Sequence, residues 1–131
     1  MEFAGKEILV IGIARSGIAA VKALVKRGAL LTACDRKTSA ELGDSLQELV
    51  KLGIEIYTGT YPPVSREDYD MLIASPGVPL DIDPLKTARQ LNLPIISELE
   101  LAYHLKSPAV AMYAISGTNG KTTTVSLLQA I

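Results

Sequence analysis

Short apolar segments alternate with amphipathic segments along this chain, and this alternation is the feature that most constrains the fold. The apolar segments have the length of buried β-strands and cover residues 7–13, 29–34, 54–57, 71–74 and 93–96. Most are separated by stretches with apolar residues at helical spacing, at 16–27, 38–53 and 84–91. Strands and helices that alternate in this way form an α/β fold with a doubly wound, mostly parallel sheet.

Two helix starts carry a capping signature. Thr38 and Glu41 have the S/T-x-x-E spacing, which predicts one helix over residues 38–53. Ser97 and the glutamate three positions later repeat the pattern and predict a helix that ends near residue 106. The stretch 58–69 contains Pro62 and Pro63, so we expect a loop there with one helical turn at 65–68.

Composition excludes several functional classes. The 131 residues are 48% hydrophobic and 21% charged with a net charge of −1, which is typical of a globular protein and gives no reason to expect nucleic acid as a partner. The single cysteine, Cys34, excludes an internal disulfide framework. The apolar runs are too short to cross a bilayer and no signal-peptide pattern is present, so we expect a cytoplasmic protein without a membrane partner.

A phosphate-binding loop follows the apolar run at 109–115. It reads Ser-Gly-Thr-Asn-Gly-Lys-Thr-Thr-Thr at 116–124 and opens a predicted helix at 121–131. Small residues let backbone N–H groups point at phosphate oxygens, and the helix N-terminus adds its positive end. Lys121 can reach the β- and γ-phosphates and Thr122 can reach Mg²⁺. Ile115 departs from the usual G-x-x-x-x-G-K-[ST] pattern, which has glycine at that position.

A second candidate nucleotide site lies near the N-terminus. Gly12-Ile13-Ala14-Arg15-Ser16-Gly17 resembles the dinucleotide-binding pattern G-x-G-x-x-G, with Ala14 in place of its middle glycine. Asp35 follows the next strand at the distance expected for a ribose contact, and Arg36 and Lys37 after it can pair with phosphate. A tight turn needed for packing alone, and a solvated charged turn, remain open as alternatives.

The tripeptide Ser75-Pro76-Gly77 ends the fourth predicted strand. The proline holds Ser75 extended and the Pro-Gly pair predicts a turn that exposes backbone groups. In a parallel sheet with right-handed crossovers, every strand-to-helix loop lies at the carboxyl edge, where such sheets bind ligands. The sequence therefore predicts that the loops after strands one, two and four form one site.

These motifs together resemble those of the Mur ligases, the ATP-dependent amino-acid-adding enzymes of peptidoglycan precursor synthesis. The resemblance rests on the Gly12–Gly17 loop, Ala-Ser-Pro-Gly-Val-Pro at 74–79 and Ser-Gly-Thr-Asn-Gly-Lys-Thr-Thr at 116–123. The first two are most similar to the member that adds D-glutamate. The resemblance implies a Rossmann-like domain over 1–97 that binds the UDP substrate, and the first strand, P-loop and helix of a truncated ATPase domain over 98–131. We expect the chain to be an inactive fragment of a longer, monomeric enzyme.

The resemblance also implies roles for individual residues. The UDP part of UDP-N-acetylmuramoyl-L-alanine is expected to contact residues of the three edge loops, namely Arg15, Ser16, Asp35, Arg36, Lys37, Ser75, Pro76 and Gly77. The phosphates of ATP are expected to contact Gly117, Thr118, Asn119, Gly120, Lys121, Thr122 and Thr123. Lys121 and Thr122 are the implied catalytic residues, and Thr122 is the implied Mg²⁺ ligand. Whether Arg36 or Lys37 contacts the nucleotide stays open.

The implied reaction forms an amide through an acyl phosphate. The γ-phosphoryl group of ATP is transferred to the carboxylate of the L-alanine stem, and the amine of D-glutamate then displaces phosphate. Mg²⁺ and Lys121 would offset the repulsion between carboxylate and triphosphate. Three alternatives remain: an L-alanine-adding Mur ligase, an NAD(P)-binding regulatory or redox module, and an interaction domain without a ligand.

Overall fold

The computed structural model of the chain describes residues 1–109, which form five strands and five helices. The strands are β1 (Glu7–Ile11), β2 (Leu30–Asp35), β3 (Glu55–Thr58), β4 (Met71–Ala74) and β5 (Ile95–Ser97). The helices are α1 (Arg15–Lys26), α2 (Ser39–Leu42), α3 (Asp44–Val50), α4 (Asp83–Gln90) and α5 (Glu98–Leu105). Almost all of the predicted strand at 109–115, the phosphate loop and the helix at 121–131 lie outside the described residues.

The five strands form one sheet in the order β3-β2-β1-β4-β5, and each of its four pairings is parallel. The predicted α/β class with a mostly parallel sheet is therefore confirmed. Strands β2 and β3 lie on one side of β1, and β4 and β5 lie on the other. The strand order therefore reverses between β1 and β4, which is the switch point of the sheet. The loops that follow these two strands diverge there and leave a crevice at the carboxyl edge.

Side chains of β1 alternate between two apolar cores. Ile8 and Val10 belong to one core, together with residues of α1, α3 and α5. Leu9 and Ile11 belong to the second core, which includes Leu85 of α4. These four of the five β1 side chains are 0% exposed, as expected for a central strand of a parallel sheet that is covered on both faces.

The helix predicted over residues 38–53 is wrong in one respect, because the chain forms two helices there. Thr38 caps α2 as predicted: its Oγ1 accepts a hydrogen bond from the Glu41 N–H at 3.4 Å, and its own N–H donates to Glu41 Oε1 at 3.3 Å. Gly43 then separates α2 from α3 with φ 58° and ψ −133°. Glycine adopts this conformation readily and is unfavourable inside a helix, which explains the break.

The connection between β3 and β4 is a loop, as its prolines predict. It has a single helical turn, in which the Tyr69 N–H donates to the Ser65 carbonyl at 3.1 Å. Tyr69 is 7% exposed and belongs to the second core, so the loop covers part of the face opposite α1. No helix within residues 1–109 is long and apolar enough to span a membrane.

Helix α5 packs with the elements that precede it. Ser97 caps it by accepting a hydrogen bond from the Glu100 N–H at 3.1 Å, as the second capping signature predicts. Leu101 is 2% exposed and lies in the core shared with α1. Arg27, just after α1, donates from Nη2 to the Leu105 carbonyl at 3.0 Å.

Candidate functional site

A cleft of about 270 Å³ lies at the carboxyl edge of the sheet. The loops after β1, β2 and β4 each supply part of its lining, and the loop after β3 adds one residue. The lining residues are Ile11, Gly12, Ala14, Ser16, Asp35, Arg36, Lys37, Tyr61, Ser75, Pro76, Gly77, Val78 and Pro79. The three loops that the sequence singles out therefore meet in one cleft at the switch point of the sheet.

Two glycines let the first loop fold tightly against its neighbours. A Cβ at Gly12, where φ is +94°, would lie 2.7 Å from Ser75 Oγ. A Cβ at Gly17 would lie 1.9 Å from the Gly12 carbonyl oxygen. No side chain fits at such distances, so the start of α1 packs directly on the end of β1 and the loop between them opens toward the cleft.

Asp35 connects the first loop to the second. Its Oδ2 accepts a hydrogen bond from the Ile13 N–H at 2.9 Å, and its Oδ1 accepts one from the Lys37 N–H at 2.8 Å. A carboxylate oxygen can accept more than one bond, so both oxygens keep a lone pair for a ligand. Asp35 therefore fixes the walls of the cleft and is also available within it.

Ser75 connects the β4 loop to α5. Its hydroxyl donates to the Glu98 carboxylate, and its Oγ also lies 3.2 Å from the Gly12 carbonyl oxygen. A serine hydroxyl has one proton, and an ionised carboxylate is the stronger acceptor of the two. The Val78 N–H bonds back to the Ser75 carbonyl at 3.0 Å, which closes the predicted turn at Pro76-Gly77.

The Ser75–Glu98 hydrogen bond is expected to make the contributions of these two side chains to the free energy of unfolding non-additive. In a double-mutant cycle of Ser75→Ala and Glu98→Ala, the coupling free energy should be about 1–2 kcal/mol, because the bond is partly buried and charge-assisted. Urea denaturation of the four proteins measures it. The control cycle pairs Ser75→Ala with Glu100→Ala on the same helix and should be additive. Additivity in both cycles would show that Glu98 does not hold Ser75.

The N-terminus of α1 is open toward the cleft. The helix begins after Ala14 without a side-chain cap, and its first turn has no acidic residue. Its first N–H groups therefore present the positive end of the helix dipole to a ligand next to Ser16. Arg36 and Lys37 line the cleft and add two positive charges, and the Asp35 carboxylate, which also lines it, offsets one of them. This arrangement favours an anionic ligand of phosphate type.

Seven of the eight residues predicted for the UDP site line this cleft, namely Ser16, Asp35, Arg36, Lys37, Ser75, Pro76 and Gly77. Arg15, the eighth, is exposed as the first residue of α1 and does not line the cleft. The contacts of all eight with a nucleotide stay predictions. The predicted ATP- and Mg²⁺-binding residues, Gly117 to Thr123, lie outside the described residues.

Two residues of this region were missed by sequence reasoning. Tyr61 lies in a loop without periodicity and reaches the cleft through backbone pairing with the Asp35 loop. Glu98 reads in the sequence as an ordinary acidic residue in the first turn of a helix. No local pattern marks either residue, because both acquire their position through contacts between distant segments.

The Cys34 thiol and the Tyr61 hydroxyl next to the cleft stay protonated at neutral pH. Burial, with a smaller effect from the Asp35 charge, raises the pKa of the Cys34 thiol to about 12, so it is uncharged at neutral pH. Burial also raises the pKa of Tyr61. Within residues 1–109, no group of three or more His, Cys, Asp or Glu side chains is placed to hold a metal ion.

The parallel sheet and the cleft at its switch point define the class of Rossmann-like α/β domains. Residues 6–97 match the family model "Mur ligase MurD-like, N-terminal domain", and the chain belongs to this family. It is 42% identical over 131 residues to a UDP-N-acetylmuramoylalanine–D-glutamate ligase of Pelotomaculum thermopropionicum, covering 99% of this chain and 28% of that protein. A ligase of the same name from Geobacter sp. is 44% identical over 128 residues, covering 97% and 28%.

A solved structure shows the same fold. The UDP-N-acetylmuramate–alanine ligase MurC of Thermotoga maritima superposes with a TM-score of 0.61 at 28% identity, covering 95% of this chain and 28% of that one. The chain thus spans 28% of the length of the relatives it matches.

Proposed function

We propose that this chain binds the UDP moiety of UDP-N-acetylmuramoyl-L-alanine and serves an ATP-dependent ligase that adds D-glutamate to that substrate. The observation that carries the proposal is the cleft at the β1/β4 switch point. It combines the open N-terminus of α1 with Arg36 and Lys37 for a diphosphate, and Asp35 for hydrogen bonds to a ribose or base. Each part matches the chemistry of a nucleoside diphosphate.

Sequence similarity favours D-glutamate over L-alanine as the added amino acid. The relatives named for D-glutamate are 42% and 44% identical to this chain, whereas the alanine ligase of known structure is 28% identical. The NAD(P) alternative is less favoured because Ala14 has a methyl group where the dinucleotide pattern has glycine. That glycine allows the backbone to approach a pyrophosphate closely.

In the proposed domain division, residues 98–131 begin the domain that binds ATP. Gly117 to Thr123 would hold the ATP phosphates, with Lys121 at the β- and γ-phosphates and Thr122 at Mg²⁺. The sequence pattern alone supports these roles. Ligation itself, through an acyl phosphate, is proposed for a longer protein of the kind that the relatives represent.

Calorimetric titration of the chain with UDP, UDP-N-acetylmuramoyl-L-alanine and NADH tests the proposal. Both uridine ligands should bind and NADH should not. The variants Arg36→Gln and Lys37→Gln, which remove one positive charge each, should show which of the two contacts the diphosphate: the one in contact loses more affinity and more salt dependence. Binding of NADH without binding of UDP would reject the proposal in favour of a dinucleotide module.

A further inference from the structure

Tyr61 occupies a distinctive position in the cleft. Among the described residues that line it, Tyr61 alone has an aromatic ring. The residue comes from the loop after β3, whereas the other lining residues come from the ends of β1, β2 and β4 and the loops that follow them. It is half-buried, so part of the ring packs on the protein and part is accessible from the cleft.

Backbone pairing holds Tyr61 in this place. The Gly59 N–H bonds to the Asp35 carbonyl at 3.0 Å and to the Lys37 carbonyl at 2.8 Å. Thr60 then forms an antiparallel bridge with Asp35. The Tyr61 side chain itself packs against the second core, which includes Cys34. A ring fixed from two sides loses little conformational entropy when a ligand packs on it.

The position of Tyr61 also indicates how a nucleotide would be oriented in the cleft. The N-terminus of α1, one of the groups proposed for the diphosphate, follows β1, whereas Tyr61 lies beside Asp35 and Arg36 beyond the end of β2. A nucleotide with its diphosphate at α1 would extend its ribose and base toward β2. The base would then reach the ring of Tyr61.

We propose that Tyr61 is a specificity-determining residue whose ring stacks on the uracil base of the substrate. This inference rests on the proposed binding of a uridine diphosphate. Stacking between a base and an aromatic side chain stabilises binding without hydrogen bonds, and it acts only on ligands that have a base. Tyr61 would thus separate nucleotides from pyrophosphate, whereas the start of α1 binds the phosphates of both.

The test compares UDP with inorganic pyrophosphate on the 131-residue chain. Tyr61→Ala should weaken UDP binding about tenfold and change pyrophosphate binding less than about twofold in calorimetry. Tyr61→Phe keeps the ring and should bind UDP within about twofold of the parent chain. Tyr103→Ala removes an exposed tyrosine of α5 that does not line the cleft and should leave both ligands unaffected.

A spectroscopic readout separates stacking from a structural role. The uracil H5 and H6 resonances of UDP should shift upfield on binding because of the Tyr61 ring current. The shift should persist with Tyr61→Phe and vanish with Tyr61→Leu, which keeps apolar bulk against the core if Tyr61→Ala unfolds. Unchanged UDP affinity and shifts in the alanine or leucine variant would overturn the role of Tyr61 and leave the proposed function intact. Failure of the parent chain to bind UDP would overturn both.

Discussion

Gly17→Ala is expected to lower the free energy of unfolding by about 3 kcal/mol, which corresponds to a fall in melting temperature of roughly 10–20 °C. The new Cβ would lie 1.9 Å from the Gly12 carbonyl oxygen, and backbone cannot move aside as a flexible side chain can. Helix propensity alone predicts the opposite sign, a gain of about 1 kcal/mol for alanine over glycine inside a helix. Urea denaturation followed by circular dichroism measures which effect dominates.

Gly77→Ala is the matched control for this prediction. A Cβ at Gly77 meets no atom within 4 Å, and its φ is outside the left-handed region. The substitution should leave stability unchanged or raise it by at most about 1 kcal/mol. If Gly17→Ala proved as stable as Gly77→Ala, α1 would not pack on the end of β1 as closely as described.

Asp35→Ala is expected to lower the free energy of unfolding by about 2–3 kcal/mol and to abolish measurable binding of UDP. Its carboxylate accepts from the N–H groups of Ile13 and Lys37. Removal leaves the partly buried Ile13 N–H without its partner, whereas the exposed Lys37 N–H can bond to water. Loss of these bonds frees the first two loops from one another, so the cleft loses its shape. Denaturation and calorimetric titration measure the two effects separately.

Asp35→Asn is expected to keep one of the two hydrogen bonds of this side chain and to lose the other. Its amide oxygen can accept from one N–H, while the amide nitrogen faces the other N–H without forming a bond. We expect a loss of stability about half that of Asp35→Ala. Asp44→Ala, which removes an acidic residue from the first turn of α3, is a control for loss of charge and should cost at most about 0.5 kcal/mol. Equal stability of Asp35→Ala and the parent chain would contradict the described role of Asp35.

Local signals were sufficient to predict most of the fold. The bounds of β4, Met71–Ala74, were predicted correctly from the apolar segment. A strand buried on both faces is apolar throughout, and Pro76 prevents its continuation. The Thr38 cap could also be predicted, since it depends on two residues close in the sequence. The break at Gly43 could not, because an isolated glycine in a helical pattern is found both inside continuous helices and at helix ends.

The site was predictable only where topology determines it. The order of strands and helices placed the loops containing Ser16, Asp35 and Gly77 at one edge, and the structure brings all three into one cleft. Tyr61 and Glu98 enter this region through long-range contacts, namely a backbone bridge to Asp35 and a hydrogen bond to Ser75. Such contacts have no sequence spacing of their own, so local patterns could not reveal them.

An amide-resolved NMR titration of the chain with UDP, followed by NADH, tests the central claim most directly. Binding of UDP in the cleft should shift the amide resonances of Ser16, Asp35 and Gly77, which come from three separate loops, while NADH leaves them unchanged. Shifts caused by NADH and not by UDP, or UDP shifts confined to residues outside these loops, would contradict the assignment of this cleft to a uridine nucleotide.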